Sequence, residues 1–369
     1  MLFQVEYRRY RLAFRTPVRT AHGVWREREG LLVRLTNETG QTGFGEAAPI
    51  PWFGTESVDE AEACLRDLGG GDERARTTDE LLDAVPARLG CVRCALAMAR
   101  RPAGGGGGGG DVVAQRALPV AALLPAGRAA LECIGPKAEL GFRTFKWKVG
   151  AGDAADELAL LDDVIAALPS GSRLRLDANG AWDRRTAGRW LDRVANYPVE
   201  FVEQPVSAHG DTGTAGASER ERRQAEDLLL GLAGDYPTRL ALDESLTGAA
   251  DVERWLGLGW PGLWVVKTSL LGDAHGALKR LAAAGVARGD VVFSSALETA
   301  VGARAALELA FAWSEGGGGG KDVPRALGFG VWPLFTDAAR ACDGLGEVPF
   351  VRPRDLTRLD AGAVWASVG

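Results

Sequence analysis

Histidine and methionine are scarce in this chain, with 3 and 2 copies among 369 residues. The three histidines, His22, His209 and His275, lie far apart in sequence, so a multi-histidine metal site has no ligands to draw on. Cysteine is also sparse. Cys64, Cys91, Cys94, Cys133 and Cys342 are scattered and odd in number, which fits a reduced chain rather than a disulfide framework. Cys91 and Cys94 have the spacing of half a zinc site, but no second pair follows. Their helical flank "ALAMA" makes them core-facing cysteines one turn apart. No run approaches the roughly 20 apolar residues of a membrane helix. The stretch "MLFQVEYRRY" carries charges from Glu6 onward and has no signal-like apolar core. The expectation is a cytoplasmic protein without membrane insertion. Net positive charge is lacking too. At −6 the chain is a poor partner for nucleic acid or an anionic membrane, although a small anionic substrate responds to local fields instead. Composition carries no information on oligomeric state.

Glycine, in contrast, is abundant. The runs Gly104 to Gly110 and Gly316 to Gly320 resemble phosphate loops only superficially, because neither leads into Lys-Ser or Lys-Thr. They are expected to be flexible connectors. The first falls near a change in texture. Before it, "LFQVEYRRYRLAF" and "GLLVRLTNETGQTGFGEAA" alternate as strands with a turn at Asn37 to Gly40. "SVDEAEACLRDL" and "TTDELLDAVPARL" follow as helices, each opened by a hydroxyl cap and acids. Residues 1–112 are therefore expected to form an α+β capping domain. Beyond it, eight apolar strand candidates alternate with helical stretches: "ALPVAALL", "TFKWKV", "RLRLDA", "VEFVEQP", "RLALDES", "GLWVVKTS", "DVVFSS" and "RALGFG". This rhythm predicts an α/β fold with a modified TIM barrel, (β/α)7β, over residues 113–334, and a C-terminal part, 335–369, packing back on the capping domain. A doubly wound open sheet is the rival, but its glycine-rich turn after the first strand is missing. The segment "AHGDTGTAGASERERRQ" after the fourth strand is expected to be an exposed insertion.

The barrel strands end in residues that a plain barrel does not need. The second ends at Lys146 and Lys148, two apart and so on one face. The next four end at Asp177, Glu203, Asp243 and Lys267, and the seventh at Ser294 and Ser295. Strand C-termini of a barrel ring one mouth. Singly, an aspartate there is commonly a helix cap and a buried lysine an ion-pair partner. Jointly, three carboxylates between a lysine pair and a single lysine call for a hard divalent cation such as Mg2+, because three buried carboxylates cannot all stay ionised without one. Lysines crowded by that charge can serve as bases toward a carboxylate substrate with an acidified α-proton. Asn179 and Glu244 fit a supporting role beside the ligands as well as direct contact. Trp52 and Phe53, in "PIPWFGTES", are large apolar residues on an expected loop that could close over the mouth.

These motifs, Lys-x-Lys, "DANGAW", "EQP", "DES" and "VVKTS", resemble the enolase superfamily in its muconate-lactonising subgroup. The likeness covers nearly the whole chain and points most toward the o-succinylbenzoate synthase family. "GFGEAAPIPWFGTES" and "RTPVRTAHG" are similar to the two capping loops over the substrate. The resemblance implies that Asp177, Glu203 and Asp243 bind Mg2+, and that Lys148 is the base and then the acid, assisted by Lys146. Lys267 then stabilises the anion from the other face. It further implies dehydration of 2-succinyl-6-hydroxy-2,4-cyclohexadiene-1-carboxylate to 2-succinylbenzoate through an enediolate, a step toward menaquinone or phylloquinone. Dipeptide epimerases and N-acylamino-acid racemases of the same subgroup use the same lysines. The epimerases resembling this chain carry Asp-x-Asp on strand eight, where "ALGFGVWPLF" has no acid. A rim at Gly328 with Ser294 or Ser295 suits a succinyl chain instead. A non-catalytic barrel is the alternative of another class, against which the intact set of six site positions speaks.

Overall fold

The computed structural model describes residues 1–20, 23–69, 76–101, 116–207, 218–315, 323–336 and 345–368. Both glycine runs, His22, His209, Cys342 and the expected boundary at 112/113 lie outside the described residues.

The period-two pattern of the N-terminal stretch folds as antiparallel β1 (Leu2–Thr20) and β2 (Gly23–Asn37), followed by β3 (Thr42–Ala47). Asn37 makes the turn, its Oδ1 accepting from the backbone N–H of Thr39 and Gln41 at 3.0 and 2.8 Å. With β4 (Arg76–Thr77) the sheet order is β3-β2-β1-β4. One face is covered by α1 (Val58–Gly69), α2 (Thr78–Ala84) and α3 (Gly90–Ala99). Ser57 and Thr77 open α1 and α2, each paired with a glutamate three residues on. Cys91 and Cys94 are buried on α3, as the helical reading expected. β3 lies directly on α3: a Cβ on Gly45 would stand 1.9 Å from the Ala95 carbonyl oxygen.

After β5 (Leu118–Pro119) come seven strands that form one parallel sheet in sequence order. They are β6 (Ala122–Leu124), β7 (Thr144–Lys148), β8 (Arg173–Asp177), β9 (Val199–Glu203), β10 (Leu240–Leu242), β11 (Leu263–Val266) and β12 (Val291–Phe293). Helices α4 (Ala129–Glu139), α5 (Ala154–Ala167), α6 (Arg184–Val194), α7 (Glu219–Asp235), α8 (Ala249–Gly257), α9 (Ala274–Ala283) and α10 (Ala300–Glu315) alternate with them. Two strand expectations change. "ALPVAALL" splits, and β5 pairs antiparallel with β13 (Phe350–Val351) while only Ala122–Leu124 joins the barrel. "RALGFG" forms no ladder. The eighth position is a seam of two isolated bridges, Val120 with Leu327 and Ser294 with Gly328. Glycine explains the close approach there, since a Cβ on Gly328 would meet Ser294 Oγ at 2.4 Å and one on Gly330 would meet the Ala121 carbonyl oxygen at 2.4 Å. Part of the expected insertion is also helix: Ser218 caps α7 and pairs with Glu221.

At the N-terminal end of the strands, buried Glu200 binds Arg175 and Arg325, both at 2.6 Å, and Arg175 donates to the Ala326 carbonyl at 2.7 Å. This ties β8 and β9 to the seam segment. Toward the C-terminus, α11 (Ala361–Ser367) brings Trp365 against Arg8 and Arg34, whose guanidinium carbons lie 4.6 and 4.8 Å from its ring centre. Among the described residues, no helix is long and apolar enough to cross a membrane.

Candidate active site

Each apolar strand carries its polar residue to the same end of the barrel because the strands are parallel and in register. Lys148 pairs with Asp177, and Asp177 with Glu203. One cavity at that end is lined by Lys146, Lys148, Asp177, Asn179, Asp243, Lys267, Ser294, Ser295 and Gly328, and by Trp52 and Phe53 from the N-terminal part. Its empty space, open mouth included, is about 810 Å³. Glu203 and Glu244 are buried beside this lining rather than in it. β7 and β11 are the second and sixth positions of the eight-position ring, so the two lysine-bearing strands stand on opposite sides with the three carboxylate strands between them.

The charges are tightly paired. Lys146 Nζ lies 2.7 Å from Glu203 Oε1 and 3.0 Å from Asp177 Oδ2. Lys148 Nζ is 3.8 Å from Asp177 Oδ2, and Lys267 Nζ donates to Asp243 Oδ1. Asn179 Nδ2 donates to Glu244 Oε1 at 2.8 Å. Burial pushes Glu203 up to about 8; Lys146 opposes the shift and the neighbouring Asp177 and Asp243 add to it. Burial raises Asp243 and Glu244 as well. Asp177 is held down at about 2, because Lys146 and Lys148 overcome its burial. Burial also works against the ammonium of Lys146, yet Asp177 and Glu203 keep its pKa above the ordinary lysine value.

Four buried carboxylates thus face three ammonium groups, and burial, with neighbouring carboxylates adding to it, raises the pKa of Glu203, Asp243 and Glu244. Asn179 Oδ1 and Glu244 Oε2 are buried with no hydrogen-bond partner. An all-oxygen donor set short of positive charge fits a hard divalent cation. Among the described residues no three acidic side chains close into a ligand set as they stand, and the Lys146 ammonium is bound by both Asp177 and Glu203.

Sequence reasoning missed several neighbours. Gln204, inside the quoted "EQP", has φ +37° and a buried side chain. Its Oε1 accepts from the backbone N–H of Asp243 and Ser245 at 2.9 and 3.2 Å, latching β9 to the end of β10. Val18 and Trp25 also line the cavity, Val18 from "RTPVRTAHG", the second stretch quoted as a capping loop, where it lies in β1. The two lid aromatics differ from each other. Trp52 is half-buried, edge-on to Trp25 at 4.6 Å. Phe53 is buried in the N-terminal core, with its ring centre 4.6 Å from Lys267 Nζ. Both line the cavity, and a short 3-10 turn, Pro51–Phe53, also folds Phe53 into the N-terminal core.

Known proteins agree with this architecture. The family profile described as "Enolase C-terminal domain-like" matches residues 132–349, and "MenC, N-terminal domain" matches residues 3–98. An o-succinylbenzoate synthase of Thermosynechococcus vestitus is 40% identical over 339 residues, covering 90% of this chain and 95% of that protein. The crystal structure of o-succinylbenzoate synthase from Thermosynechococcus elongatus BP-1, complexed with Mg in the active site, superposes with a TM-score of 0.70 at 36% identity over 90% of this chain and 94% of that one. A hydrophobic dipeptide epimerase of Roseobacter litoralis is 30% identical over 68% of this chain and 71% of its own length. The chain belongs to the enolase superfamily, with a barrel and N-terminal domain similar to those of o-succinylbenzoate synthase.

Proposed function

We propose that this protein is an o-succinylbenzoate synthase, a hydro-lyase that converts 2-succinyl-6-hydroxy-2,4-cyclohexadiene-1-carboxylate to 2-succinylbenzoate. The observation that carries the reading is one cavity lined by Lys148 and Lys267 from opposite barrel strands, with Asp177 and Asp243 between them. Likeness over nine-tenths of the chain to a synthase supports the substrate assignment.

Asp177, Glu203 and Asp243 are the residues that would hold Mg2+. Bound there, the ion supplies positive charge beside the substrate carboxylate, which acidifies the α-proton and offsets the charge left behind. Lys148 takes that proton from the ring carbon bearing the carboxylate. The freed electron pair forms the new ring double bond as the neighbouring carbon–oxygen bond breaks, and Lys148 returns its proton to the departing hydroxide as water. Aromatisation drives this elimination, so the task left to the protein is the barrier to proton removal. Lys146, two residues away on the same strand face, assists through its charge. Lys267 places a second ammonium on the other side of the ring. Phe53 beneath Lys267 and Trp52 against Trp25 exclude water from the mouth. Ser294, Ser295 and the bare backbone at Gly328 receive the succinyl arm.

Epimerisation of dipeptides is the second reading, favoured by the Roseobacter relative. The seam opposes it, because Ala326 to Gly330 carries no acid for a substrate ammonium. Purified protein should aromatise the cyclohexadiene carboxylate, followed by ultraviolet absorbance, and lose this activity in EDTA. Dipeptides and N-succinyl amino acids, run alongside in D2O, report α-proton exchange. Rapid exchange of dipeptides with no aromatisation sinks the synthase assignment.

A further inference from the structure

The most extensive polar contact between the N-terminal sheet and the barrel is made by one residue that the mechanism does not use. Glu46, on β3, is fully buried. Its Oε1 accepts from Tyr10 Oη at 2.6 Å and from the Thr299 backbone N–H at 2.9 Å. Its Oε2 accepts from Thr299 Oγ1 at 2.5 Å and from the Gly302 backbone N–H at 2.9 Å. Thr299 precedes α10 and Gly302 lies in its first turn, so both N–H groups are among those a helix start leaves unpaired. A carboxylate there is stabilised by the hydrogen bonds and by the helix dipole. The cap of α10 thus comes from 253 residues earlier in the chain. The fit is close: a Cβ on Gly302 would stand 3.1 Å from Glu46 Oε2 and 2.9 Å from Glu298 Cβ.

What α10 holds is the turn that lines the substrate cavity. Ser294, Ser295, Ala296 and Leu297 all face it. Leu297 is held at φ +60°, a conformation costly for a leucine, and its N–H donates to Ser295 Oγ at 2.9 Å. Ser295 Oγ donates in turn to Glu298 Oε2 at 2.7 Å, and its backbone N–H reaches the Gly328 carbonyl across the seam at 3.3 Å. A strained turn persists only where its surroundings determine it, and on its α10 side the surroundings are the Glu46 carboxylate.

We infer that Glu46 is a positioning residue: it caps α10 from the N-terminal sheet and so fixes the Ser294–Leu297 turn against which the substrate's succinyl arm is bound. The two parts of the molecule are then coupled at the substrate pocket and not merely packed. Docking of the sheet sets the shape of the barrel mouth.

The inference rests on the proposed dehydration for its kinetic readout, so wild-type turnover is established first. Glu46→Gln keeps the volume and removes the charge. Its KM should rise about tenfold, the scale of one weakened hydrogen bond to a charged group, while kcat stays within about threefold. Amides of Leu297 to Gly302 should exchange with deuterium faster in the free protein. Ser295→Ala should raise KM as well, and the double variant should be no worse than the weaker-binding single one, because both act through the same turn. A folded Glu46→Gln with wild-type KM, or KM effects that multiply, overturns the inference. If Glu46→Gln does not fold, Tyr10→Phe removes one of the four bonds to Glu46 without touching α10 and decides by the same readouts, with unchanged KM and unchanged exchange counting against it. Should the wild type show no dehydration, the proposed function fails, and the clamp is judged on amide exchange alone, where unaltered protection refutes it.

Discussion

Lys146 is paired with two of the carboxylates that would hold a cation, and replacing it separates its two roles. Lys146→Met keeps the apolar stem and removes the ammonium that sits 2.7 Å from Glu203 and 3.0 Å from Asp177. Removing one partner of a buried ion pair costs about 3–5 kcal/mol, because the other charge is left unpaired. At about 2 °C per kcal/mol for a large domain, the variant should melt roughly 6–10 °C below wild type in EDTA. Glu203 softens the loss by taking up a proton, which its value of about 8 already favours near neutral pH. Saturating Mg2+ should then close most of the gap, since the ion meets the same two carboxylates and no longer competes with an ammonium. Because bound ligand stabilises by RT times the logarithm of one plus the ratio of free ligand to Kd, a hundredfold tighter Kd in the variant adds about 2.7 kcal/mol over wild type at the same saturating Mg2+. The variant's Mg2+-induced rise in Tm should therefore exceed that of wild type by several degrees, and its Mg2+ affinity should be higher. Differential scanning fluorimetry in EDTA and across a Mg2+ titration measures both. A gap equal in EDTA and Mg2+ would refute the reasoning, because the ammonium and the ion would then not share a place.

Among the described residues Lys148 makes one ion pair, at 3.8 Å, so Lys148→Ala should leave Tm and Mg2+ affinity nearly unchanged while kcat falls by about a hundred- to ten-thousand-fold; steady-state kinetics and calorimetry check the split. Trp52→Ala, at the half-buried edge, should raise KM with little change in Tm, whereas Phe53→Ala also opens the N-terminal core and should cost about 3–5 kcal/mol, read from denaturant curves. Glu298, buried beside Glu46, is pushed up to about 7 from 4.5. Because its folded value is raised, its contribution is full below about 4.5 and is lost as pH rises through 7, amounting to about 3 kcal/mol at most. Glu298→Gln can still accept from Ser295, so it should be more stable than wild type above pH 7 and the advantage should vanish near pH 4.5; a pH-independent difference in Tm contradicts this.

The gathering of the carboxylates and lysines at one mouth was legible because parallel strands of a barrel end there, and a strand's period of two puts Lys146 and Lys148 on one face. The chemistry is therefore written in short motifs. What was not legible depends on distance in sequence or on the absence of a side chain. Nothing near Glu46 announces a helix 253 residues away. Gln204 sits in a recognised tripeptide, yet its two accepted bonds go to residues on the next strand. "RALGFG" has the composition of a strand, but Gly328 and Gly330 bring backbones too close for a regular ladder. That Phe53 would be buried in the N-terminal core as well as line the cavity was not legible, because a three-residue turn is enough to fold it inward.

The seam at the eighth position divides labour around the ring. At its far end it is riveted by Arg175 to the Ala326 carbonyl and by Arg325 to Glu200, while at the mouth it is held by single bridges. One arc of the mouth, from β7 to β11, is stiffened by continuous ladders and carries every charged group of the lining. The other arc is backbone, serine and small apolar side chains. On the proposed function, proton transfer and substrate fit fall on different arcs of one circle. Changes along the compliant arc can alter which molecule is accepted and leave the reaction's electrostatics where they are.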